Sequence, residues 1–88
     1  MSQQRYHLEF HAVASSQIPG LPAPAYTAMV EVLLPVIRAP WATTFPNDPE
    51  SQPTTVWRWV PFGDWGLLAL HIDESRRTIR VHDITWIG

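Results

Sequence analysis

The residues best suited to chemistry in this sequence are two arginines and two histidines: Arg58, His71, Arg80 and His82. Attack of a ribose 2′-hydroxyl on a phosphodiester needs a base, an acid for the leaving oxygen, and cations for the phosphate. Two histidines with an ordinary pKa of about 6.5 can divide the acid and base roles. A guanidinium can hold two phosphate oxygens at once. These residue types are compatible with a metal-independent endoribonuclease site, since no carboxylate motif completes a metal site around the histidines.

The same four residues have a simpler interpretation. An antiparallel sheet with one face in water alternates polar and apolar side chains along each strand. Arginines and histidines at these positions would then be solvated residues with no chemical role. The pattern leaves two hypotheses open: a catalytic site, and the ordinary solvent-exposed face of a sheet.

Three strand-like runs carry the four residues, at positions 56–62, 65–73 and 78–87. Turn-forming residues at 63–64 and 74–77 separate the runs, which is typical of two consecutive hairpins. The end of the chain therefore predicts a three-stranded antiparallel meander.

Turn lengths predict which residues pair across these hairpins, and paired residues lie on one face of the sheet. A two-residue first turn pairs Arg58 with Ala69, and a four-residue second turn pairs His71 with Arg80. With His82, the two arginines and His71 are predicted to share the face that the helices leave uncovered. That face is also predicted to carry Val56, Val60, Leu67, Ile84 and Trp86. The opposite, core face is predicted to carry Trp57, Trp59, Leu68, Leu70, Ile72, Ile79 and Val81, and the same alternation places Asp83 there.

The first half of the chain predicts one strand followed by two helices. Polar and apolar residues alternate over 6–11 as in a half-buried strand. A short helix suits 12–17, and apolar residues recur at helical spacing over 22–37. Pro35 inside the second pattern predicts a kink, or an end of the helix near Leu34. The resulting order βααβββ predicts an α+β fold, with two helices packed on one face of a small antiparallel-rich sheet.

The segment 39–55 is predicted to be a loop, since it holds four prolines and several short polar residues. Trp41 and Phe45 are expected to pin this loop onto the domain. Trp41 and Trp86 are also candidate contacts for another protein, because tryptophan is enriched at interface hot spots.

Composition narrows the class of protein. The 88 residues suit one domain, 1–88, and the absence of cysteine excludes disulfides and thiolate metal sites. No run of 18 or more apolar residues and no secretory signal is present, so a cytoplasmic location without a membrane partner is expected. Six arginines, no lysine and a net charge of −2 are a weak electrostatic footprint for nucleic acid, although a local basic patch remains compatible.

Several stretches resemble the RelE/ParE superfamily of toxins from bacterial type II toxin–antitoxin pairs: YHLEF, LPAPAY, and above all WRWVPFGDWGLLALHIDESRRTIRVHDI. The resemblance covers nearly the whole chain and is most specific at the Gly-Asp-Trp turn and the LLALHIDE run. It implies a βααβββ toxin with no cofactor that is neutralised by a cognate antitoxin protein. Its target would be mRNA on the ribosome in a RelE-like toxin, or DNA gyrase in a ParE-like one.

In the RelE-like branch the resemblance implies a basic working surface on the sheet, and Arg58 matches one of its strand cations. Gly66 stands where the family usually has an arginine, and the family's lysines are absent. Two alternatives to a RelE-like toxin therefore stay open. One is an interaction module that keeps the fold without the chemistry, and the other is a ParE-like gyrase inhibitor, which needs no nuclease site.

Overall fold

A five-stranded sheet with helices on one of its faces makes up the described part of the chain. The computed structural model describes residues 5–48, 50, 52 and 54–87. The elements are β1 (His7–Phe10), α1 (Ala12–Gln17), α2 (Ala23–Arg38), α3 (Pro40–Thr43), β2 (Phe45–Pro46), β3 (Trp57–Phe62), β4 (Gly66–Asp73) and β5 (Thr78–Trp86), with one 3-10 turn at Ile18–Gly20. The predicted βααβββ order is confirmed, with two short elements added between α2 and β3.

The strand order in the sheet is β1-β5-β4-β3-β2. β1 lies parallel to β5, with Leu8 opposite Ile79, and the other neighbours are antiparallel. The crossover through α1 and α2 brings the chain back onto one face of the sheet, and none of the helices in the described residues packs on the opposite face. This arrangement leaves one broad surface of the sheet uncovered.

The core lies between α2 and the covered face of the sheet. Leu33 and Val36 of α2 pack there, and α2 runs through Pro35 to Arg38, so the predicted end near Leu34 is wrong. The proline removes one backbone bond, but complete burial of Val36 and a 2.9 Å bond from the Ala39 N–H to the Pro35 carbonyl stabilise the last turn. None of the helices in the described ranges has both the length and the apolar character needed to span a bilayer.

The predicted loop over 39–55 contains α3 and the two-residue strand β2. Phe45 pairs with Trp59 and its ring lies 5.0 Å from the Trp59 ring, centroid to centroid. Residues 49, 51 and 53 lie outside the described residues. The composition predicted loop throughout, but the segment begins with the short helix α3 and continues as the sheet edge β2 beside β3.

The predicted pairing of β3 with β4 is wrong by one residue. The turn has three residues, with Gly63 at a φ of +58°, so Phe62 pairs with Gly66 and Arg58 with Leu70. A shift of one residue moves every side chain of a strand to the other face. The faces predicted for Trp57, Arg58, Trp59 and Val60 are accordingly reversed in the structure.

A bulge in β5 makes a second correction. β5 holds one extra residue, His82, in the middle of its pairing with β4. Beyond the bulge, Ile84 and Trp86 turn to the helix side, not to the uncovered face where they were predicted. Asp83, predicted on the core face, leaves it and accepts a 2.8 Å hydrogen bond from the Gln17 side chain. The predicted pairing of the second hairpin is confirmed from Asp73 with Thr78 to His71 with Arg80, but the predicted pairing of Ala69 with His82 is wrong, since the bulge puts Asp83 opposite Ala69.

Candidate active site on the uncovered face of the sheet

The face of the sheet opposite the helices, called the uncovered face below, brings together three of the four predicted catalytic residues. His71 and Arg80 are direct partners across β4 and β5. The bulge places the His82 ring 6.1 Å from the His71 ring, centroid to centroid. Arg58 is 4% exposed and lies on the helix side, so its predicted place in this cluster is wrong. The catalytic roles of the other three stay predictions.

The environment of His82 favours its neutral form. Partial burial is the main cause of its lowered pKa, followed by repulsion from His11, His71 and Arg80. The ring stacks on His11 at 5.1 Å and lies 5.1 Å from the Trp57 ring. A neutral imidazole can accept a proton, which suits a general base. Within the described ranges, no three His, Asp or Glu side chains are placed to hold a metal ion.

Arg80 lies directly opposite His71 in the pairing of β4 with β5. Its Nη2 donates to Glu9 Oε1 of β1 at 3.0 Å, which holds the guanidinium across the sheet surface. Asp73 is charged here, since a hydrogen bond from Ser75 is the largest of the causes that lower its pKa. A small pocket of about 90 Å³ is lined by His71, Asp73, Arg76, Thr78 and Arg80.

Arg58 holds the segment between α3 and β3 in place. Its Nε and Nη2 donate to the Thr44 hydroxyl and carbonyl at 2.7 and 2.9 Å, and its Nη1 donates to the Thr55 carbonyl at 3.2 Å. The guanidinium also lies 5.1 Å from the Trp41 ring centroid. Burial lowers the pKa of Arg58, but the ordinary pKa of an arginine is so high that the guanidinium stays charged at neutral pH. These contacts connect the two ends of the segment and indicate that the role of Arg58 is structural.

The two candidate partner tryptophans have contacts inside the chain. The Trp41 indole donates to Glu74 Oε1 at 2.8 Å, and the Tyr6 hydroxyl donates to the same oxygen at 2.6 Å. These bonds, from Tyr6 first and Trp41 second, lower the pKa of Glu74. Trp86 stacks on Phe62 at 5.8 Å. Trp41 thus pins its segment as expected, and contact of either tryptophan with a partner stays a prediction.

The packing of Phe62 explains the glycine at position 66. A Cβ built on Gly66 would lie 2.5 Å from atoms of the Phe62 ring. Any side chain there requires Phe62, which is fully buried, to move. The arginine that the resemblance leads one to expect is therefore incompatible with the core of this chain as it is packed.

A row of rings crosses the uncovered face and was missed because the predicted register placed Trp57 and Trp59 in the core. Phe45 contacts Trp59 at 5.0 Å, and Trp57 contacts His71 at 4.6 Å, both between ring centroids. Trp57 is 47% exposed and Phe45 is 50% exposed. The set, called the aromatic row below, consists of two groups of contacting rings on either side of one strand position of β3: Phe45 with Trp59, and Trp57 with His71, His82 and His11.

A second open surface lies on the helix side, between α2 and the edge strand β1. Tyr26, Val30 and Leu34 recur every four residues along α2 and are exposed, with Leu34 at 55%. They border an apolar groove of about 250 Å³. The groove is lined by Leu8, Phe10, Ile18, Tyr26, Met29, Val30, Leu33, Leu34 and Ile37.

Comparison with solved structures identifies the fold. A chain of the RelBE2 toxin–antitoxin complex from Mycobacterium tuberculosis matches with a TM-score of 0.79 and 20% identity, over 96% of this chain and 100% of that chain. The chain has the RelE fold. The isolated RelE toxin of E. coli matches with a TM-score of 0.74 and 14% identity, over 94% and 85%. The archaeal RelE–RelB complex of Pyrococcus horikoshii gives 0.66 and 12%, over 97% and 98%.

Comparisons of the amino-acid sequence itself give no match. No protein-family model matches it. No curated protein matches it either. The RelE fold agrees with the α+β fold that the resemblance implied. At sequence identities of 12–20%, the structural matches establish the fold of this chain and not its activity.

Proposed function

We propose that this protein is the toxin of a toxin–antitoxin pair and that it cleaves mRNA in the cytoplasm on the uncovered face of its sheet. The observation that carries the proposal is the convergence of His71, Arg80 and His82 on the open face of a RelE fold. Solved structures of similar fold include complexes of a toxin with its antitoxin. A cognate antitoxin is therefore the partner we assign to this chain.

The proposed reaction uses the two histidines in opposite roles. Neutral His82 takes the proton of a ribose 2′-hydroxyl, and the oxygen attacks the neighbouring phosphorus. The bond from phosphorus to the 5′-oxygen breaks, and His71, as the general acid, gives a proton to that oxygen. A 2′,3′-cyclic phosphate and a 5′-hydroxyl are the products. Arg80 offsets the charge that develops on the phosphate oxygens.

Growth of a bacterial host is the direct test of the toxin proposal. Induced expression of the chain should arrest growth, and co-expression of the adjacent open reading frame should relieve the arrest. Sequencing of RNA ends after induction should show cuts within translated mRNA. The control is the same expression vector with an early stop codon.

Other outcomes of this experiment point to the alternatives. Tight binding to the neighbouring protein without growth arrest supports the non-catalytic interaction module. Arrest with intact mRNA and inhibited gyrase supports a ParE-like toxin. Either result would remove the RNA-cleavage proposal.

The apolar groove beside α2 is the surface that we assign to the antitoxin. Its exposed ridge on α2 has the spacing that receives an amphipathic helix. Replacing Leu34 by aspartate should weaken antitoxin binding about a hundredfold, because the change removes apolar burial and places a charge in the contact. Titration calorimetry on the purified pair measures the loss.

A matched control is available on the same helix. Thr27 is exposed on α2 but does not line the groove. Thr27→Asp introduces the same charge and should leave the affinity within about threefold of the original, since an exposed position away from the contact contributes little. Equal affinity of the Leu34→Asp and unmodified proteins would show that the antitoxin binds elsewhere.

A further inference from the structure

We infer that the aromatic row is a stacking platform for the unpaired bases of single-stranded RNA. The inference takes the class of nucleic acid from the proposed function. Trp57 and Phe45 are half exposed on an open sheet, so one side of each ring remains available to a planar ligand. Aromatic rings on an exposed sheet surface are how several protein modules hold splayed bases, because every base has a face that stacks.

The position of the row relative to the histidines supports a nucleic acid as the occupant. The Trp57 ring contacts the rings of His71 and His82 at 4.6 and 5.1 Å. A base stacked on Trp57 would therefore place its own sugar and phosphate beside the two proposed proton-transfer groups. Arg80 lies on the far side of His71, its partner across the strands, where a following phosphate would pass.

Stacking also accounts for a binding surface with few cations. The chain has a net charge of −2, and Arg80 already contacts Glu9. Affinity that depended on phosphate contacts would need clustered cations and would fall steeply with salt. Affinity from stacked bases needs few cations, so binding should weaken only slightly as salt rises. A protein helix fits this surface less well than the apolar groove, because three of the six rings are histidines and Arg80 lies beside them.

The test is a binding measurement with a labelled oligothymidylate, followed by fluorescence anisotropy. A deoxyribose strand lacks the 2′-hydroxyl that the proposed reaction requires, so binding is measured without cleavage. Trp57→Ala should weaken binding about tenfold or more, the usual effect of losing one base–aromatic stack, and Phe45→Ala should weaken it less. A duplex of the same length should not bind, since its bases are already stacked.

The chain supplies a matched control. Trp65 is 62% exposed in the turn between β3 and β4, outside the aromatic row. Trp65→Ala should bind the oligonucleotide as tightly as the original protein. Circular dichroism of all variants verifies that the fold is retained.

The outcomes separate this inference from the proposed function. Trp57-dependent binding by a protein that neither arrests growth nor cuts mRNA keeps the platform and removes the toxin proposal. Growth arrest together with oligonucleotide binding that ignores Trp57 keeps the toxin and overturns the platform. Absence of binding by the original protein, or an antitoxin affinity that depends on Trp57 instead, also overturns the platform.

Discussion

Replacing Arg58 by alanine should lower the free energy of unfolding by about 3 kcal/mol. The change removes hydrogen bonds to Thr44 and Thr55 and leaves the buried Thr44 hydroxyl and carbonyl without this donor. Each buried polar group left unsatisfied costs about 1–3 kcal/mol. A domain of this size has a total stability of only about 4–13 kcal/mol, so a loss of about 3 kcal/mol is a large fraction of the total. Urea denaturation followed by circular dichroism measures the loss.

Two further variants show whether the guanidinium shape or the charge matters at this position. Arg58→Lys keeps the charge but loses the planar fork, and we expect a loss of about 2 kcal/mol. Arg76→Ala removes an exposed arginine from the turn between β4 and β5, with an expected change within about 0.5 kcal/mol. If Arg58→Ala unfolds at the same urea concentration as Arg76→Ala, the hydrogen bonds of Arg58 do not stabilise the fold. The assignment of a structural role to Arg58 would then be wrong.

Replacing His82 by glutamine should slow mRNA cleavage by about two to four orders of magnitude, the usual contribution of a general base. Glutamine keeps a polar side chain of similar size in the bulge, so the strand geometry is preserved while proton transfer is lost. Single-turnover cleavage of ribosome-bound mRNA by the purified protein measures the rate. His71→Gln should reduce the rate to a similar extent through loss of the acid.

The pH dependence supplies a second readout for His82. Burial and the neighbouring cations lower its pKa, so the base stays neutral to a lower pH than an ordinary histidine. The limb of the rate profile on which activity falls with acid should therefore lie below about pH 6.5, and His82→Gln should abolish that limb. His7→Ala is the control, because His7 is highly exposed on the same face near the edge of the sheet. Unchanged cleavage by both His82→Gln and His71→Gln would exclude the histidine mechanism.

The Gly66 contact bears on how the site could be altered. Restoring an arginine at this position would be a natural attempt to strengthen the proposed chemistry. The Phe62 ring occupies the space that the new side chain would need, 2.5 Å from a Cβ. An arginine at position 66 is incompatible with the present packing of Phe62. The cation for the proposed chemistry must therefore come from another position in this chain, such as Arg80.

Local patterns were sufficient for much of the fold. The alternation before Phe10 indicated β1, and the Ala12–Gln17 helix begins and ends where its sequence suggested. The turn from Glu74 to Arg77 paired His71 with Arg80 correctly, because both flanking strands alternate without interruption between this turn and the bulge at His82. These features depend on residues close together in the chain.

The contents of the candidate site depended on tertiary structure. Composition does not distinguish a two-residue turn after Phe62 from the three-residue turn that forms, yet that single residue moves Arg58 into the core and Trp57 onto the open face. The bulge at His82 likewise could not be read from the alternation of residues along β5. The sequence by itself determined the order of elements and the histidine–arginine pair, through local periodicity. Only packing decided which face of the strand β3 is buried, because burying Val60 and Phe62 beside α2 outweighs any local preference in the turn.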